Sequence, residues 1–533
     1  MGKITLCGVS ASEYTVKCGS SEAELHAGEV MRTWIEKICG EKMMGGRGVI
    51  DLRIDPALPD TEGYRIRNAE GALEIIGGNA RGILYGVYGF LEKYLGVRSF
   101  APDVERYNSD AEIPELDETF EPIFEYRQSG WFSRDDIDWR VANRINTHDN
   151  PDPKYGGFMK WGGFVHTMHA ITGVPRTEQP CLTDPAMLEK AITYTRELLQ
   201  KDPSVKLVSV SQNDNFKYCT CPRCAAIDEE EGSHMGTLLR FVNAVAENMK
   251  DDYPKVAIET LAYQYTRRAP KITRPLPNVV IRLCSIECCF SHPLSDATCD
   301  RNKAFVRDIE EWNRICQRLY IWDYVTNFAY YIPTFPNFGV LRENMRFFAL
   351  HGVKGMYPEG NYQTVSGEFA ELRSYLLAKL MWDPLMSEEE YQGHVDAFLE
   401  AYYGAGWRNI RAYIDLMTGL AKRNHIGIYD PPFVMIPKEL YEAVYSAAEG
   451  WWDAAEAAAG DRLEAVQRSR LQWTYLSLTV KPNEEKARAF YRDVNARGIR
   501  WRENQNDWPE EQDFQKPPTE WAYRKLGDKI IYG

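Results

Sequence analysis

The 533-residue chain is expected to be an α/β protein built on a (β/α)8 TIM barrel, and three observations carry that expectation. Short apolar runs alternate with helical periodicity between residues 124 and 359. Four acidic residues, Asp214, Glu287, Asp323 and Glu359, stand where such runs give out, spaced 73, 36 and 36 residues apart, so the pattern recurs at one β/α unit with one unit skipped. The length also leaves room for a barrel of about 250 residues with a region on each side. Inward carboxylates at the C-terminal strand ends are where such barrels place their chemistry.

Taken in order, residues 24 to 40 carry Val30, Trp34, Ile35 and Ile38 at helical spacing and stop at Gly40, a C-cap. Strands follow at 49–53, 63–68 and 73–77, then a helix from Ala80 capped by Gly96, so residues 1–120 form a small α+β domain. Barrel strands are expected at 124–131, 141–148, 162–169, 205–214, 256–263, 278–287, 318–323 and 353–359. Helices at 184–201, 234–250, 301–316 and 338–351 lie between them, an alternation that favours a parallel sheet with crossover helices. The barrel domain spans 121–384, and 385–533 form an α-helical C-terminal domain whose Pro-rich end, from Trp508, wraps the surface.

Composition narrows the partners. A net charge of −14 disfavours a phosphate-binding surface, so no nucleic-acid partner is expected. No stretch approaches the ~20 apolar residues of a membrane span. The start lacks the apolar core of a secretory signal, with Glu13 and Lys17 close behind it. The chain as written is therefore expected to be cytoplasmic, and secreted or periplasmic if a leader has been trimmed. Cys284, Cys288 and Cys289 lie in or beside an apolar run and read as buried thiols of a reduced, intracellular chain. The 14 Trp and 31 Tyr make a high aromatic content; aromatic rings with a polar handle suit sugar rings, and the competing reading is a large core with packed helices.

Glycoside hydrolysis commonly places two carboxyl groups across the scissile bond, one as acid and one as nucleophile or base. Glu287, in Cys284-Ser-Ile-Glu-Cys-Cys-Phe, is the expected acid, because apolar, thiol-rich surroundings would desolvate it and raise its pKa. The competing reading pairs it with Arg282 or His292. Asp214, in Ser211-Gln-Asn-Asp-Asn, orients an acetamido group or the acid, or is a turn residue. Strand alternation is taken to put Asp323 and Ile321 on the inner face and to point Trp322 at the helices. Glu359, between Pro358 and Gly360, is a nucleophile or base, or a loop carboxylate, and competes with Asp323 for that role.

Candidate substrate-binding residues are Arg127, Trp131, Asn146, His148, His166, Asn213, Tyr263, Tyr265, Tyr324 and Asn361. No cofactor is expected. Cys219, Cys221 and Cys224 offer three zinc ligands, with a fourth from Cys181, Cys299 or a His, against free thiols pinning a loop.

Several motifs together resemble glycoside hydrolase family 163: Ser209-Val-Ser-Gln-Asn-Asp-Asn, Cys219-Thr-Cys-Pro-Arg-Cys, Thr260-Leu-Ala-Tyr-Gln-Tyr-Thr, Cys284-Ser-Ile-Glu-Cys-Cys-Phe, Ile321-Trp-Asp-Tyr-Val-Thr-Asn-Phe and Gly367-Glu-Phe-Ala-Glu-Leu-Arg. Upstream, Glu62-Gly-Tyr-Arg-Ile-Arg and Asn79-Ala-Arg-Gly-Ile-Leu-Tyr-Gly resemble the domain preceding the barrel in β-N-acetylhexosaminidases and α-glucuronidases. The resemblance implies a retaining or substrate-assisted endo-β-N-acetylglucosaminidase that cuts the GlcNAc-GlcNAc core of complex N-glycans or their fragments. Two rivals are an α-glucuronidase-like exo-enzyme, which would want a basic pocket from Arg127, Arg144 and Arg282, and a carbohydrate-binding protein without turnover.

Overall fold

The computed structural model describes residues 2–69, 71–147 and 152–504. Its N-terminal part is a five-stranded mixed sheet, in the order 116–120, 64–69, 72–77, 48–54 and 14–18, covered by two helices. The first helix, Glu22–Cys39, starts in a capping box between Ser21 and Glu24 and ends at Gly40 with φ 71°. The second, Ala80–Leu95, is capped by the Asn79 side chain and ends at Gly96 with φ 64°. Both glycines take the left-handed conformation that a side chain would disfavour. The apolar cluster of this part also takes in Trp382, which stacks on Phe120 at 4.6 Å.

The second sheet is parallel and has seven strands: β1 Tyr126–Arg127, β2 Lys160–Gly162, β3 Val205–Ser209, β4 Ala257–Ala262, β5 Val279–Cys284, β6 Leu319–Tyr324 and β7 Val353–Glu359. They lie in the order β1-β7-β6-β5-β4-β3-β2. Helices α1 Pro185–Lys201, α2 Met235–Met249, α3 Lys303–Asn313 and α4 Phe338–Leu350 make crossovers between consecutive strands. The connection from β4 to β5 carries only a short 3-10 turn, Gln264–Thr266.

This arrangement corrects the expected (β/α)8 barrel. Between the edge strands β1 and β2 there is no strand among the described residues. The stretch expected as a second strand, 141–148, begins instead inside the helix Ile137–Ala142, which the Asp136 side chain caps by accepting from the Trp139 N–H at 2.7 Å. Arg144 then takes φ 58°, which ends any extended run. Asn146 links the two edges: its N–H donates to the Arg127 carbonyl at 3.2 Å and its carbonyl accepts from Met159 at 2.9 Å. The sheet is nonetheless curled, since Tyr126 of β1 and Trp161 of β2 meet edge-to-face at 5.4 Å. The third expected strand is shorter and earlier than 162–169, because Gly163 and His166 take φ 71° and 53° and a short helix, Met168–Thr172, follows.

Two buried networks join the N-terminal part to the residues of and around the parallel sheet. Glu62 pairs with Arg81 and Arg127 and accepts from Asn146, while Glu92 pairs with Arg144 and with Lys379 of the helix α5, Ala370–Trp382. After α5 come the helices Glu388–Tyr403, Trp407–Ala421, Lys438–Ala458, Leu463–Val480 and Glu484–Ala496, whose apolar faces share one cluster with the curled sheet. The expected wrapping of the end from Trp508 lies outside the described residues. No described helix is long and apolar enough to cross a membrane.

Candidate active site

The ends of β6 and β7 build the centre of the site. Their register sets Trp322 beside Tyr357 and Tyr324 beside Glu359, and neighbours in register share a face. The Trp322 Nε1–H donates to Glu359 Oε2 at 2.8 Å, the Trp322 ring meets Tyr357 edge-to-face at 5.0 Å, and Tyr324 stacks on Trp322 at 6.2 Å. Trp322 also lies over the Arg282 guanidinium at 4.7 Å. The inner face of the sheet is therefore the one bearing Tyr320, Trp322 and Tyr324, which corrects the expected phase of β6.

Alternation then turns Asp323 to the opposite face. There it accepts from Ser285 Oγ at 2.6 Å, and burial pushes its carboxyl up to about 6 against that hydrogen bond. Asp323 and Glu359 do not face one pocket, so Asp323 leaves the set of candidates for the reaction.

A second group gathers around Tyr263. Its phenol is raised far above the usual value, first by burial and then by the nearby Asp214, Cys284, Tyr429 and Glu287. Tyr324 is raised by burial and by Cys284, Tyr263 and Glu359. Cys284 and Tyr324 thus lie near Glu359, and Tyr263 lies near Asp214, Cys284 and Glu287. Asp214 is exposed at the rim, 3.4 Å from the Tyr263 hydroxyl and 3.5 Å from Gln264 Nε2. His166 lies 6.1 Å from the Tyr263 ring, and burial pushes its imidazole below the usual value. Its Nδ1 lies 2.8 Å from the Gln212 carbonyl, which can only accept, so Nδ1 carries the proton.

Glu287 departs from its expected setting. Cys284, Cys288 and Cys289 are buried, but the Glu287 side chain is 45% exposed and pairs with Arg267 Nη1 at 2.7 Å. The apolar flank does not surround its carboxylate, and the partner is neither Arg282 nor His292. Arg282 belongs instead to Glu259, an ion pair at 2.8 Å with both side chains fully buried inside the curl. Burial raises the Glu259 carboxyl above its usual value despite Arg282. Sequence reasoning passed over Glu259; the signal was a charge interrupting each of two neighbouring apolar runs, Ala257–Ala262 and Val279–Cys284.

The other candidates scatter. Arg127 and Asn146 are held in the Glu62 network, away from the strand ends. Trp131 is buried, with the Arg373 guanidinium 5.8 Å from its ring, and packs where a side chain on Gly360 would sit. Asn213 pins the loop before α1, donating to the Glu178 carbonyl at 2.7 Å and accepting from the His169 N–H at 3.0 Å. Asn361 is buried, its Nδ2 3.4 Å from the Ser366 carbonyl. Tyr265 lines another pocket, with Tyr218, His234 and Cys219. His148 lies outside the described residues. Cys181 joins the three expected cysteines, its Sγ 3.7 Å from Cys221 and 3.8 Å from Cys224, whereas Cys299 sits elsewhere.

Residues 100–415 match the model of a family described as a domain of unknown function, DUF4838, and the chain belongs to that family. No curated protein matches the sequence. Among solved structures, one similar to this chain is described as a GH138 enzyme targeting pectin rhamnogalacturonan II, with a TM-score of 0.45 and 10% identity over 90% of this chain and 72% of the other.

Proposed function

We propose that the protein is a glycoside hydrolase that works at the C-terminal ends of its parallel strands. One observation carries the reading: Glu359 is fixed at a strand end by the Trp322 indole and stands in register beside Tyr324. Parallel sheets bind ligands outside the carboxyl ends of their strands. Aromatic walls with phenol handles fit both the C–H faces and the hydroxyl rims of sugars. Glu359 acts as nucleophile or base, Asp214 at the rim gives the proton to the leaving oxygen, and Glu287 with Arg267 holds substrate hydroxyls.

Within that class, the motifs shared with family 163 favour an endo-β-N-acetylglucosaminidase acting on complex N-glycans or their fragments. The α-glucuronidase-like alternative lacks its basic pocket, because Arg127, Arg144 and Arg282 are each paired with a glutamate. Mass spectrometry of products from labelled complex N-glycans and a panel of other oligosaccharides tests the reading. Release of a fragment ending in a single reducing GlcNAc supports the narrower form. Cleavage only of another linkage overturns that form, and binding without cleavage of any glycan overturns the enzyme itself in favour of a carbohydrate-binding protein.

A further inference from the structure

Two clusters of metal-ligand atoms lie outside the carboxylate site. One unites Cys181, Cys219, Cys221 and Cys224, the other Cys289, His292, Cys299 and His425, and in each the four ligand atoms lie within 4.8 Å of one another. We propose that each cluster binds a structural zinc ion, and that the second ion clamps the segment after β5 to the helices that follow the sheet.

The spacings fit a tetrahedron. Zinc bonds of about 2.0 Å to nitrogen and 2.3 Å to sulfur give tetrahedral edges of roughly 3.3 to 3.8 Å. In the second cluster, Cys289 Sγ lies 3.2 Å from His292 Nδ1 and Cys299 Sγ lies 3.6 Å from His425 Nδ1. In the first, Cys181 Sγ is 3.7 and 3.8 Å from two other sulfurs. All eight donors are thiols or imidazoles, and closed S4 and N2S2 sets are those of structural zinc.

The surroundings of the second cluster orient its ligands independently of any ion. His292 Nε2 lies 3.0 Å from the Lys422 carbonyl, which can only accept. The proton therefore sits on Nε2, and the lone pair of Nδ1 faces Cys289, the tautomer a metal-bound imidazole needs. Asn302 accepts from the Cys289 N–H at 2.8 Å and donates to the His292 carbonyl at 3.1 Å. The Phe290 N–H donates to the Ile426 carbonyl at 2.9 Å, so the backbone beside Cys289 is already joined to the backbone beside His425. Ligands from 289–299 and from 425 thus converge on a braced position. Binding would release the thiol protons of two cysteines there, and of up to four in the first cluster, to solvent.

Both positions bear on the site. Cys289 is two residues from Glu287, and Cys219 is five from Asp214. The ions would fix the two segments that bring these carboxylates to the rim.

Zinc in the full chain, purified without chelator and dialysed against Zn2+, is counted by plasma mass spectrometry. Two ions per chain are expected, falling to one in the Cys299→Ser/His425→Ala variant and to one in Cys181→Ser/Cys221→Ser. Cobalt in the latter variant should give the visible bands of a tetrahedral N2S2 site. A wild-type chain that holds one ion, kept in Cys299→Ser/His425→Ala, overturns the second site, and a folded wild-type chain that holds none overturns both. The wild-type count does not depend on whether either variant folds.

Discussion

The Trp322 indole N–H meets Glu359 Oε2 at 2.8 Å, across two parallel strands and on the inner face of the curled sheet. A hydrogen bond to a carboxylate is worth about 1.5–3 kcal/mol, or roughly 10- to 150-fold in rate if it is needed in the transition state. Trp322→Phe keeps an aromatic ring at this position and removes the donor together with part of the buried indole, so some loss of melting temperature accompanies it. Its kcat on a cleaved glycan should fall by at least that factor; an unchanged kcat would detach the indole from the chemistry.

Asp323 lies on the other face, so Asp323→Asn should leave kcat/KM within about threefold of wild type. Its stability effect has a definite sign. The folded carboxyl sits at about 6, above the unfolded value, so it stabilises the fold fully below about pH 4 and loses that contribution as pH rises through 6. The D323N variant should therefore gain on wild type between pH 4.5 and pH 7.5, by roughly 2 kcal/mol. Urea unfolding at both pH values reads this, and an equal difference at the two would contradict it.

The Glu259–Arg282 pair is fully buried, with Arg282 lying over the Trp161, Phe164 and Trp322 rings at 4.4 to 4.7 Å. Removing one partner strands a charge, so Glu259→Gln should cost about 3–5 kcal/mol, while Glu259→Leu with Arg282→Met should recover most of it. Denaturant midpoints decide the matter; additive losses in the double variant would rule out coupling.

Tyr263 stays protonated throughout the working range, because burial and the charges around it raise its phenol. Its hydroxyl lies at a long 3.4 Å from Asp214, worth about 1 kcal/mol, so Tyr263→Phe should lower kcat roughly fivefold. A change in KM alone would make Tyr263 a binding residue.

Much of the frame was legible because it rests on local chemistry. Gly40 and Gly96 stop helices where the left-handed conformation is needed, and the runs at β3 to β7 are bounded by turn residues. What failed needed tertiary knowledge. Trp139 and Val141 look like strand residues, but the Asp136 cap makes their segment helical. The phase of β6 was misread because Ile321 looks like a core residue, whereas the inner face is filled by aromatics and one ion pair, so polarity alone does not tell inside from outside. The cysteines around Glu287 are buried, yet its side chain leaves them for Arg267, 20 residues away. The Cys289, His292, Cys299 and His425 cluster spans too much sequence for any local spacing to announce it.

The most direct test is the turnover of Glu359→Gln on a glycan that the wild-type chain cleaves, with far-UV circular dichroism confirming the fold. Glutamine keeps the size of the side chain but cannot act as nucleophile or base, so turnover should fall by at least about 10³-fold while glycan binding persists. Turnover within tenfold of wild type in a folded variant would contradict the placement of the reaction at Glu359.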